Sequence, residues 1–288
     1  MILSMTGYAV ASRELAGGLL SVELRAVNHR YLDLSLRLPD ELRQLENQLR
    51  EKLAGRVSRG KLDCRIGFSA RAEQQPKLQL NTALLSDLVQ LAGHARTIAP
   101  GAGELKLGEL LRWPGVLITD SVTPETMQQT ALELLDLALA DFAATRGREG
   151  SKLAAMLLER IDRMETLVTE IAPRLPTIVA AYDEKLKTRL LEALGSLDDD
   201  RVRQEVALFA QKIDVAEELS RLSTHLAEIR RILKQGGAVG KRLDFLMQEL
   251  HREANTLGSK SVALETSQVA LELKVLIEQM REQVQNIE

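Results

Sequence analysis

Two rhythms of apolar residues divide the chain. Over roughly the first 70 residues they alternate with polar ones, the period of a half-buried strand, and beyond that they recur every three or four positions, the period of an amphipathic helix. Alternation predicts strands over Ile2–Val10 and Gly18–Val27, joined by a Gly17-Gly18 turn. A third covers residues 31–38, where Leu32, Leu34, Leu36 and Leu38 share one face. Pro39-Asp40 ends that strand, and Asp40 is placed to cap a helix closing at Gly55. Arg59-Gly60-Lys61 then turns into a fourth strand over residues 62–70. The expected layer is an antiparallel sheet with a helix.

A linker and a short strand occupy 72–80. Helices are expected over 82–97, 107–111, Pro124–Thr145, 149–172 and 177–194, with Trp113-Pro114-Gly115 as a packed turn, Pro173 and Pro176 as breaks, and Leu197–Asp200 as an acidic connector. The fold class is therefore α+β. It is read as an N-terminal α+β domain over 1–155, a helical connector over 156–204 and a C-terminal helical domain over 205–288.

The stretch Gln211–Lys260 reads as two helices joined by a short basic turn. In the first, Val206, Phe209, Ile213, Ala216, Leu219, Leu222, Leu226, Ile229 and Leu233 form a core stripe, while Asp214, Glu218, Arg221, His225 and Glu228 form a polar column with Glu217 beside it. In the second, Leu243, Leu246 or Met247, Leu250, Ala254 and Leu257 are core. Asp244, Gln248, Arg252 and Asn255 make one polar column, and Glu249 with Glu253 another. An antiparallel hairpin lets both polar sides face a shared cleft. A break at Asn255–Ser261 precedes a last helix, capped near Ser261. Its seam of Val262, Val269, Leu273, Leu276, Met280 and Ile287 is suited to packing on another helix, in the chain or across subunits.

Composition narrows the possibilities. The chain has 288 residues, 3% aromatics and a net charge of −3, so neither bulk charge nor many aromatic platforms would carry nucleic-acid binding. Charge is uneven, however: residues 1–71 carry 12 basic against 8 acidic side chains, and the remaining 217 carry 26 against 33. The single cysteine, Cys64, excludes an internal disulfide and a four-cysteine metal site. No long apolar run and no basic leader are present, so a cytoplasmic protein without a membrane partner is expected.

The basic N-terminal residues Arg25, Arg30, Arg37, Arg59, Lys61 and Arg65 suit either a solvated sheet face or an anion-binding one. His29, beside Asn28 and Arg30, is read as structural. The polar columns of the hairpin suit either ordinary helix salt bridges or a divalent cation held by hard oxygen ligands, with His225 as a further ligand or general base. The turn carries Arg230, Arg231, Lys234, Lys241 and Arg242 without an acid. It lacks the Walker A pattern and suits phosphate contact or plain solvation.

SMTGYAV, ELRAVNHRYLDLSLRLP, the RGK turn, LRWPGV, KIDVAEELSRL, LDFLMQELHREANTLGSKS and LIEQMREQVQNIE occur in that order along the chain. Together they resemble the bacterial YicC family of stress-associated proteins over essentially the whole length. The resemblance implies an RNA endonuclease that needs a divalent cation, Mn²⁺ or Mg²⁺, and assembles as a homohexamer opening to admit RNA. The family's densest motif falls on Asp214, Glu217, Glu218 and Arg221, then on Asp244, Gln248, Glu249, Arg252, Glu253, Asn255 and Lys260. His225 matches a common histidine, and His251 departs from a frequent asparagine.

The resulting expectation assigns Glu218, Glu249 and Glu253 to the metal, with Asp214 and Glu217 in reserve. Arg252 neutralises phosphate charge, and His225 assists proton transfer beside Glu249 and Glu253. RNA is met by Arg25, Arg30, Arg37, Arg59, Lys61, Arg221, Lys241 and Arg242. The rival readings are a noncatalytic RNA-binding adaptor that delivers RNA to other ribonucleases, and a structural oligomer whose polar columns are intersubunit salt bridges.

Overall fold

The computed structural model describes residues 1–70, 78–101, 103–119, 122–194 and 214–288. Strands β1 (Gly7–Leu15), β2 (Gly18–Val27), β3 (Leu32–Arg37) and β4 (Gly60–Ala70) form one sheet in the order β1-β2-β4-β3. A turn with Gly17 at φ 87° joins β1 to β2, a conformation only glycine adopts without strain. The α+β class holds, but the sheet is mixed. β1 and β4 flank β2 antiparallel, whereas β3 runs parallel to β4, with Leu34 opposite Leu62. Parallel pairing is possible because the connection is a crossover, made of a 3-10 turn over Asp40–Leu45 and helix α1 (Glu46–Ala54). Asp40 does not cap this turn; the cap position is Pro39 and makes no side-chain hydrogen bond.

The first strand begins later than alternation suggested. Ile2 and Met5 are buried, and Ser4 bridges antiparallel to Ile287, so residues 1–6 form a strap across the molecule. Strand β5 (Leu78–Leu80), helix α2 (Thr82–Ile98), helix α3 (Leu107–Arg112) and strand β6 (Leu117–Thr119) follow, with β5 and β6 paired antiparallel. β6 is too short for its alternation to register in the sequence. Asn81 caps α2 by accepting from the Leu84 amide at 3.1 Å.

Helix α4 (Pro124–Ile171) is one uninterrupted helix of 48 residues, about 72 Å long at 1.5 Å per residue. The sequence suggested two helices broken near residues 146–148. The buried stripe in fact runs straight through: Leu135, Ala138, Phe142, Arg146, Gly150, Leu153, Leu157, Ile161 and Met164 keep spacings of three and four. The stripe is masked in the sequence because an arginine and a glycine occupy core positions. A Cβ at Gly150 would collide with the Ile2 carbonyl oxygen, so glycine there admits the N-terminal strap.

After a 3-10 turn at Ala172–Arg174 come α5 (Leu175–Leu194), α6 (Ala216–Gln235), α7 (Gly240–Lys260) and α8 (Leu264–Val284). α7 continues through Asn255–Lys260, where a break was expected, and α8 starts without a side-chain cap after Ala263. The proposed acidic connector and the stripe positions Val206, Phe209 and Ile213 lie outside the described residues. In α8 and the turn after it, Thr266, Ala270, Leu273, Ile277, Met280, Val284 and Ile287 are buried at alternate spacings of four and three, which keeps Leu273, Met280 and Ile287 of the expected seam and leaves Val262, Val269 and Leu276 partly buried. The seam packs within the chain, on α4 and α7.

α4 therefore serves two cores. Its first half covers Leu20, Val22, Leu24, Leu62 and Cys64 on the inner sheet face, together with Leu49 and Leu53 of α1. Its second half packs on the stripes of α6, α7 and α8. No helix among the described residues is long and apolar enough to cross a membrane. Burial pushes the Cys64 thiol up to about 12. Cys64 is thus expected to resist a thiol-titrating reagent at pH 8 in the folded protein and to react in full in denaturant, whereas equal rates in both would contradict this burial.

Candidate metal centre

α6 and α7 pack antiparallel, with Leu222, Leu226 and Ile229 of one and Leu243, Met247, Leu250 and Ala254 of the other in a common core. Apolar positions at three and four fix each helix's rotation, which turns the polar columns to one side of the hairpin. His225 from α6 and Glu249 and Glu253 from α7 each bring one donor atom to a common point, all within 4.8 Å of one another. Glu253 is buried, at 3% exposure, while His225 and Glu249 are half-buried.

Around this triad the partners are few. Arg221 donates to Glu253 Oε1 at 3.5 Å and forms an ion pair with Glu217 one turn away. Glu217 is the leading cause holding the Arg221 guanidinium above its usual range. Arg252 is largely exposed, with Glu249 3.9 Å away. A buried carboxylate with one long hydrogen bond is costly unless a positive charge joins it. Arg221 brings one only at 3.5 Å, and a divalent ion would bring a closer one. Ligands about 2.1 Å from an octahedral ion lie some 3 to 4.2 Å apart, so the triad needs only small side-chain adjustment. One imidazole with two carboxylates suits Mn²⁺, and carboxylate with water suits Mg²⁺.

The other expected ligands are placed elsewhere. Glu218 is buried, accepts from Lys260 Nζ at 2.8 Å through Oε1, and has no partner on Oε2 among the described residues, but it stands outside the triad. Asp214 turns back to accept from the Ala216 amide at 3.0 Å, and Glu217 is exposed and held by Arg221. Their column runs from the start of α6, but of its possible metal donors only His225 lies level with Glu249 and Glu253. Glu217→Gln is accordingly expected to shift stability by under ~1 kcal/mol, as for an exposed pair, and to leave Mn²⁺ affinity unchanged by calorimetric titration.

The cations expected to meet RNA fall on separate surfaces. Arg25 and Arg37 lie on the open sheet face in a shallow pocket of ≈ 240 Å³ that also holds Glu23, Asp63 and Arg65. The register sets Glu23 opposite Arg65, Arg25 opposite Asp63 and Lys61 opposite Asp33, so acids dilute this face. Arg242 and Arg231 both pair with Glu228 and hold its carboxyl below the usual range, Arg231 most strongly. Arg230 is taken by Asp162 and Glu165 of α4.

Arg30, Arg59 and Lys241, in contrast, line one cleft of ≈ 970 Å³ between the sheet domain and the α6–α7 turn. Tyr31 stands in the same cleft, 65% exposed, with the Arg30 guanidinium 5.3 Å from its ring centroid. Sequence reading passed over Tyr31; its one signal was an aromatic beside arginine at a strand junction. His29 is exposed, and its Nδ1 lies 3.0 Å from the Tyr31 carbonyl.

The helical hairpin thus gathers one imidazole and two carboxylates beside the exposed Arg252. Two family models together match most of the chain: Endoribonuclease YicC-like, N-terminal region, over residues 2–155, and Endoribonuclease YicC-like, C-terminal, over residues 171–288. The chain is 43% identical to a protein of Haemophilus influenzae named probable endoribonuclease YicC, with both chains covered in full. It is 29% identical to one of the same name from Clostridioides difficile, again over the full length of both. The chain belongs to the YicC-like endoribonuclease family.

Proposed function

We propose that the protein is a divalent-metal-dependent endoribonuclease whose metal is held by His225, Glu249 and Glu253. The observation that carries this reading is the convergence of three donor atoms, from two helices, within 4.8 Å. Bound Mn²⁺ or Mg²⁺ would polarise the scissile phosphodiester and acidify an attacking water. His225 serves as a neutral nitrogen ligand, which replaces the proton-transfer role expected from sequence. Glu249 and Glu253 supply the anionic oxygens, and Arg221 orients Glu253. Arg252, exposed beside Glu249, neutralises the phosphate group undergoing substitution.

The test is cleavage of a defined RNA hairpin by protein purified with a chelator. Internal cleavage is expected on adding Mn²⁺, and none before it. RNA binding without cleavage at any metal concentration would favour the adaptor reading and overturn this one.

A further inference from the structure

Most arginines of the helical half are neutralised within the chain, among them Arg221, Arg230, Arg231 and Arg242. The cleft at the domain junction differs. Among the described residues, neither Arg30, Arg59 nor Lys241 pairs with a carboxylate; Arg59 donates only to the His29 carbonyl, at 3.1 Å. Two acids share the cleft, and among the described residues neither pairs with these three cations. Glu288 holds Arg146 and the Ser58 hydroxyl, and Asp244 accepts from Gln248 at 3.0 Å. What remains open to a ligand is three cations around an exposed tyrosine, in a cleft large enough for more than one nucleotide.

The cleft also has a direct route to the metal centre. At 100° per residue, Lys241, Gln248 and Arg252 follow one another along one side of α7, next to the side carrying Glu249 and Glu253. All three are exposed. Lys241 and Glu249 are eight residues apart, about 12 Å along the helix. A strand seated in the cleft reaches the metal centre along this column without leaving α7.

We propose that the cleft is a subsite for an unpaired segment of the RNA, with one base stacked on Tyr31 and its flanking phosphates met by Arg30, Arg59 and Lys241. This rests on the endoribonuclease reading and adds a polarity to it: the cut falls at a fixed offset from the segment held in the cleft. Stacking requires a splayed base, so a base-paired segment is a poorer occupant than a single strand.

The experiment measures anisotropy of a fluorescein-labelled five-nucleotide oligoadenylate, in chelator so that cleavage plays no part. Tyr31→Ala is expected to weaken binding about tenfold, and Tyr31→Trp to restore it, because the platform and not the hydroxyl matters. Lys241→Ala should weaken binding and flatten its salt dependence by about one phosphate contact. The altered side chains are exposed, and matching thermal melts establish that each variant is folded. Unchanged affinity in Tyr31→Ala and in an Arg30→Ala/Lys241→Ala double variant would overturn the subsite. Cleavage of hairpin RNA by the wild type is scored separately. If cleavage persists while these variants bind as wild type, only the subsite fails; if the wild type never cleaves while Tyr31→Ala loses binding, only the endonuclease reading fails.

Discussion

Glu253→Gln is expected to lower RNA cleavage at least about 10²-fold, since loss of a metal ligand should cost no less than loss of the groups that orient one. RNA affinity measured in chelator should stay close to wild type, because Glu253 is buried and meets no cation of the junction cleft. Glutamine keeps the side chain's size and can still accept from Arg221, so the fold is retained. Glu249→Gln should behave alike but with a smaller loss, its carboxylate being only half-buried. Cleavage by both purified variants at the wild-type rate would rule out the assignment of the two carboxylates.

Arg146→Ala is expected to destabilise the protein by about 3–5 kcal/mol, the usual result of removing one partner from a buried ion pair. The Arg146 side chain is 3% exposed inside the middle of α4 and pairs with the Glu288 carboxylate. It also donates through Nε to the Ser4 carbonyl at 2.6 Å and lies over the Phe142 ring. Glu288 in turn holds the Ser58 hydroxyl, and its carbonyl oxygen accepts from the Val239 amide at 3.0 Å. Asn28 adds a hydrogen bond to the Gln285 carbonyl at 2.8 Å.

One residue pair thus ties together the N-terminal strap, the sheet domain, α4 and the α6–α7 turn. Urea unfolding followed by circular dichroism checks it, and a change under about 1 kcal/mol would show that the pair contributes no more than a surface bridge. The same junction forms the floor of the cleft, so Arg146→Ala should weaken RNA binding without touching a cation that contacts RNA.

How much of this was legible in the sequence follows from what each feature depends on. The helical hairpin was readable because its stripes of leucine and isoleucine are unbroken in α6 and α7, and a stripe fixes which side chains face outward. Within that set, sequence spacing could not choose among the carboxylates. Asp214, Glu217, Glu218, Glu249 and Glu253 are all plausible donors on their own helices. The choice depends on the vertical offset between two antiparallel helices, which sets His225 level with Glu249 and Glu253 and leaves Glu218 level with Lys260.

The features that went unread are those in which a distant partner reverses a local rule. Residues 146–148 look like a helix break until Glu288 is placed beside Arg146, and Gly150 an empty core position until Ile2 is placed beside it. Alternation located the strands of the sheet but is the same for either direction of pairing. It therefore gave no warning that β3 lies parallel to β4. The basic residues were counted correctly, yet their use was decided by neighbours from other elements. Asp33, Asp63 and Glu23 offset the sheet face, whereas among the described residues the cations of the junction cleft pair with neither of its acids, Asp244 and Glu288.

Pulsed electron paramagnetic resonance of bound Mn²⁺ tests the metal centre most directly, because it reads the ligands without relying on turnover. The wild-type protein loaded with one equivalent of Mn²⁺ should show modulation from a directly coordinated imidazole nitrogen. His225→Gln should abolish that modulation, and Glu253→Gln should lower Mn²⁺ affinity. A spectrum without nitrogen coupling, or the same coupling in His225→Gln, would contradict a metal held by His225, Glu249 and Glu253.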